Sequence, residues 1–94
     1  MNTESELMEA IERLNAADEA ADEAHREATE ALQLELYVID RKRLQEPDES
    51  LDDQRREVVA KIHEANQLLE STIKANSRER SILETKIQQL TPSK

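Results

Sequence analysis

A chain with no glycine has lost the cheapest way for a backbone to enter positive-φ turns, and none of these 94 residues is glycine. Proline occurs only at Pro47 and Pro92, and the sequence between them is rich in Ala, Leu, Glu, Arg and Gln, all good helix formers. Glycine-dependent tight turns, anion-binding nests and phosphate-cradling loops are therefore not available. The expectation is two long helices and one connection.

Apolar spacing gives each helix a face. From Val59 to Leu90 the positions Val59, Ile62, Asn66, Leu69, Ile73, Asn76, Arg80, Leu83, Ile87 and Leu90 alternate in steps of three and four. That period keeps one side of a helix against a neighbouring helix. A second stripe, formed by Val58, Ala65, Leu68, Thr72, Ala75 and Ile82, runs beside it. In the first half the same spacing selects Leu7, Ala10, Leu14, Ala17, Ala21, Ala24, Ala28 and Ala31, fails at Glu35 and resumes at Val38. Ile11, Ala20, Leu32, Leu36 and Ile39 lie off that line, and the failure at Glu35 predicts a rotation of the buried face there, as a stutter produces.

The connection is marked by Glu46-Pro47-Asp48-Glu49-Ser50. Proline disfavours helical geometry at the residue before it, and Ser50 with Asp53 has the spacing of a capping box. Thr3 with Glu6 has the same spacing at the first helix start. The prediction is a single domain over residues 1–94: helix 1 about 4–45, connection 46–50, and helix 2 about 51–90, ended by Thr91-Pro92. Each helix would be on the order of 60 Å long at 1.5 Å per residue.

Two rods of matching length about a short break predict an antiparallel hairpin; the competing arrangement is one kinked rod that dimerises. Charge separates the two. Residues 1–31 carry ten acids and two bases, whereas residues 64–94 carry four and five. Folding back at Pro47 lays the acidic start along the least acidic end, while parallel pairing of two chains sets acid on acid. Reflection about residue 48 brings Leu7 near Leu90, Leu14 near Leu83, Ala24 near Ile73, Ala28 near Leu69 and Val38 near Val59. The fold class read from the sequence is all-α, a long coiled-coil-like antiparallel helical hairpin. Its extra apolar stripes predict completion of a four-helix bundle as a homodimer, or capture of a partner's helix.

The net charge of −9 opposes binding to nucleic acid or anionic membrane. Arg41-Lys42-Arg43 is accordingly read as a solvated helix end that complements the macrodipole. Zero cysteine removes disulfides and thiolate metal ligands. The acidic beginning and the lack of any long apolar run point to a cytoplasmic protein with no membrane partner.

Chemistry-bearing constellations are sparse. Asp22-Glu23-Ala24-His25 spells a helicase box, but that box works beside a glycine-rich phosphate loop. The same residues offer a carboxylate and a histidine three apart, as in bundle di-iron sites, yet reflection keeps His25 away from His63. Both histidines are read as surface or flank residues, with no metal, no cofactor and no small-molecule substrate expected. Catalysis needs a water-excluding pocket, and the inward basic residues of small helical chorismate mutases have no counterpart here, so an enzyme is not expected. Asn66, Asn76 and Arg80 on the seam are read as register-setting polar positions, with Arg80 expected close to Asp18; the alternative is a partner-binding patch.

Ile62-His63-Glu64-Ala65-Asn66-Gln67-Leu68-Leu69 and Ala75-Asn76-Ser77-Arg78-Glu79-Arg80 resemble helices of chaperones of the flagellar type III export apparatus. That resemblance implies a small acidic all-helical protein that holds the helical termini of filament-junction subunits. The face implied for binding carries Asn66, Leu69, Ile73, Asn76 and Arg80. The expected function is a non-catalytic protein–protein interaction module, acting as a chaperone or adaptor; the alternatives are a purely structural coiled-coil scaffold and a small helical-bundle enzyme or metal protein.

Overall fold

The computed structural model describes residues 3–90. Helix α1 spans Glu4–Gln45 and helix α2 spans Glu49–Leu90, each of 42 residues. They form an antiparallel helical hairpin whose extents are 72 × 21 × 15 Å. Among the described residues there is no strand, no cis peptide bond and no positive φ. The predicted stop at Thr91-Pro92 lies outside the described residues.

The start of α1 follows the capping signal. Thr3 is extended, and its hydroxyl accepts the Glu6 amide at 3.2 Å while donating to Glu6 Oε1 at 3.3 Å. At the other end Glu46 turns extended, φ −141° and ψ 92°, with its amide still bonded to the Lys42 carbonyl at 2.8 Å. This is the geometry a following proline demands.

The restart differs from the sequence reading. Asp48, not Ser50, caps α2: its Oδ1 accepts the Ser50 amide at 3.1 Å and its Oδ2 accepts the Ser50 hydroxyl at 3.1 Å. A carboxylate both bonds the open amides and answers the positive helix end. The helix therefore begins at Glu49, and the connection shrinks from five residues to three.

The face that each helix turns inward also differs. The inward line of α1 runs Leu7, Ile11, Leu14, Asp18, Ala21, His25, Thr29, Leu32, Leu36, Ile39 and Arg43, and Ala10 and Asp40 are half-buried beside it. Ala17, Ala24, Ala28, Ala31 and Val38, which the spacing places on the seam, are exposed. On α2 the inward positions include Val58, Ala65 and Thr72, while Val59, Asn66 and Ile73 are exposed. Burial scales with apolar area, so the arrangement that covers Ile11, Leu32, Leu36 and Ile39 outcompetes one that covers alanines. The change of phase falls at Ala21–His25–Thr29, two consecutive steps of four, rather than at Glu35. A matching pair of fours occurs at Thr72–Asn76–Arg80.

Cross-helix pairs set the register. Arg55 Nε meets Asp40 Oδ1 at 3.1 Å and Arg43 Nε meets Asp52 Oδ1 at 2.8 Å. Both pairs of residue numbers add to 95, about two residues off the reflection expected from the sequence. Arg43 is thus a bridge between the helices next to the bend and not a solvated helix end. Arg41 stays on its own helix, its guanidinium 5.7 Å above the Tyr37 ring and donating to the phenol oxygen at 2.9 Å.

Candidate interaction surfaces

A hairpin of two helices has one shared seam and two flanks along its length. The seam is thin. Among the described residues only Leu7, Ile39 and Val58 are buried apolar side chains. The buried Thr29 hydroxyl is satisfied within its own helix by the His25 carbonyl at 2.9 Å.

Polar layers interrupt the seam. Asp18 lies between two donors of α2, the Asn76 amide at 2.8 Å and the Arg80 guanidinium at 2.5 Å. The Asn76 hydrogen bond first, and that of Arg80 next, hold the Asp18 carboxyl below its ordinary range against a smaller opposing effect of desolvation. The proximity of Arg80 to Asp18 is the one expected from the sequence. Arg80 Nε is buried and meets no acceptor among the described residues, a cost set against the two well-made bonds.

About two turns along α1 towards the middle, His25 Nε2 lies 2.6 Å from Asn66 Oδ1. Facing an acceptor oxygen, that nitrogen carries the hydrogen. His25 is half-buried where the seam meets the flank, on the flank side of its surface-or-flank reading; the three-and-four spacing puts Ala24, one residue earlier, inward instead. His63 stays exposed and pairs only with Gln67 on its own helix, at 3.2 Å. Among the described residues no group of three or more His, Cys, Asp or Glu is placed to hold a metal ion.

Of the ten positions selected on α2, the structure turns Ile62, Leu69, Asn76, Arg80, Leu83 and Ile87 towards α1. Val59, Ile73 and Leu90 are exposed, and Asn66, also exposed, reaches from its flank to His25. Outward residues fall on two sides. One flank has an open groove lined by His25, Asn66, Leu69, Glu70, Ile73, Lys74 and Ser77, with Val59 seven residues before Asn66 on the same side. The opposite flank has a groove floored by Ala21, Ala24, Ala28 and Ala65 and rimmed by Leu68 and Thr72. It continues towards the bend along Ala31, Leu34, Val38, Gln54, Glu57 and Lys61. Seven-residue steps put Ala17, Ala24, Ala31 and Val38 on that second flank of α1, and Lys61, Leu68, Ala75 and Ile82 on that flank of α2. The alanine line read from the sequence is therefore a real apolar stripe, facing outward beside the seam.

These grooves are open to solvent and mix aliphatic side chains with polar and charged ones. Among the described residues no helix is long and apolar enough to cross a membrane. No family model matches the chain, and no curated protein or solved structure matches it.

Proposed function

We propose that this chain is a non-catalytic helix-binding module: a hairpin that pairs with a second copy to complete a four-helix bundle and presents its remaining groove to a helix of another protein. The observation that carries the reading is the amount of apolar surface the hairpin leaves uncovered. Leu68, Ile82, Val38 and Leu34 are exposed on one flank, Val59 and Ile73 on the other, against three buried apolar side chains among the described residues. Contiguous apolar strips on a charged surface belong to interfaces, and a helical groove of this kind takes an amphipathic helix. The likeness of the Asn66 and Asn76 segments to flagellar export chaperones supports a helical terminus as the cargo, held in the cytoplasm before transfer.

The test combines light scattering with circular dichroism across a concentration series. A helical spectrum with a mass near twice 10.8 kDa is expected, together with binding of an added amphipathic helix by the dimer. A helical monomer at every concentration that takes no such helix would remove the reading. A dimer that takes none leaves a scaffold, the purely structural alternative.

A further inference from the structure

The two flanks are not equivalent, and the difference selects both the docking face and the orientation of the second copy. We propose that a second copy of this chain docks on the Leu68–Ile82 flank with the two bends at the same end of the bundle, α1 of each copy lying along α2 of the other. This rests on the self-association reading above and specifies its geometry.

Shape is the first argument. With residue numbers at one height adding to about 95, as in the Arg55–Asp40 and Arg43–Asp52 pairs, a two-fold axis along the hairpin preserves height. Leu68 then comes level with position 27 of the other copy's α1, in the gap between Ala24 and Ala31. Ile82 comes level with position 13, between Ala10 and Ala17. Large side chains thus enter gaps between small ones, the knobs-into-holes arrangement of packed helices. With the bends at opposite ends, α1 lies on α1 and alanine meets alanine.

Charge complementarity is the second argument, and it is independent of shape. In the free-end half, residues 4–24 of α1 carry eight acids and one base, whereas residues 71–90 of α2 carry two acids and four bases. In the bend half, residues 25–45 carry four of each and residues 49–70 carry six acids and three bases. Bends at the same end place −7 over +2 twice, with 0 over −3 at the other end. Bends at opposite ends place −7 over 0 and +2 over −3. Neighbouring helices lie about 8–10 Å apart and diagonal ones about 14 Å, so screening over about 8 Å at physiological salt weakens the like-charged α1–α1 diagonal more than the attractive contacts.

The chain has no cysteine, so Leu44→Cys, at a position 86% exposed beside the bend and off the docking flank, takes a single spin label per copy. Pulsed electron resonance on the labelled dimer should give one distance of roughly 20–30 Å, the width of a bundle of helices about 10 Å across. Separation by most of the 72 Å length of the hairpin would overturn the orientation. In parallel, Leu68→Glu, at a position 70% exposed in the hairpin, should weaken the dimer at least tenfold while the helical spectrum persists. Val59→Glu on the other flank should leave the dimer intact; the reverse pattern overturns the choice of face. A wild-type chain that stays monomeric instead defeats the self-association reading itself, so the two failures are distinct.

Discussion

Val58 and Val59 are adjacent residues of one type, and the hairpin treats them differently: Val58 is 7% exposed and Val59 is 40% exposed. Truncating each to alanine removes the same atoms from the same helix, so the comparison isolates which one faces α1. Each substitution deletes two carbon groups, worth about 0.8 kcal/mol apiece when fully buried. Scaled by coverage, the loss is about 1.5 kcal/mol at Val58 and at most about 1.0 kcal/mol at Val59. A partly filled void adds about 0.5 kcal/mol at Val58 alone. Alanine's better helix propensity returns about 0.6 kcal/mol at both sites. The net expectation is a destabilisation of about 1.4 kcal/mol for Val58→Ala and about 0.4 kcal/mol for Val59→Ala. In a chain of this size, 1 kcal/mol shifts the midpoint by about 4–8 °C, so Val58→Ala should melt about 6–11 °C below the parent and Val59→Ala about 2–3 °C below. Thermal and urea unfolding followed at 222 nm, at one fixed chain concentration, reads both. Equal losses, or a larger loss at Val59, would refute the inward face described for α2.

Asp18 supplies a pH signature. The hydrogen bonds from Asn76 and then Arg80 hold its folded carboxyl below the usual carboxylate range, so its contribution to stability is complete above the unfolded value and disappears as pH falls through the folded one. The stability difference between wild type and Asp18→Asn should therefore be flat above about pH 5 and shrink on further acidification; a difference that is constant down to acid unfolding contradicts the assigned bonds. The His25–Asn66 contact should appear in a double-mutant cycle with alanine at each position, as a coupling of about 0.5–1 kcal/mol in urea unfolding, the lower range for a hydrogen bond open to water. Additive losses would mean that the two side chains do not meet.

Much of the architecture could be read in advance from particular residues. Pro47 forbids helical geometry at Glu46, Thr3 and Glu6 mark a start, and the acid-rich first third selects the hairpin over parallel pairing. Even Arg80 beside Asp18 follows from folding back at the bend. The choice between Ser50 and Asp48 as cap did not follow, because both have side-chain oxygens near the break and the winner depends on how far the helix extends back. The contact of His25 with Asn66 is not legible for a different reason: the three-and-four spacing puts Ala24 inward, and a neighbour 100° away then points elsewhere.

The residues alone determined that this chain is helical, that it breaks once, and that it returns on itself. These follow from backbone sterics and local propensity, which act within a few residues. Only the tertiary structure decided which of two adjacent apolar stripes on each helix turned inward. That choice depends on the area both helices bury together, with Leu32, Leu36 and Ile39 on one side and Val58 and Ile62 on the other. A stripe on one helix has no preferred direction until the opposite helix is in place, and the polar pairs Asp18–Arg80 and Asp40–Arg55 then hold the alignment that the aliphatic contacts select.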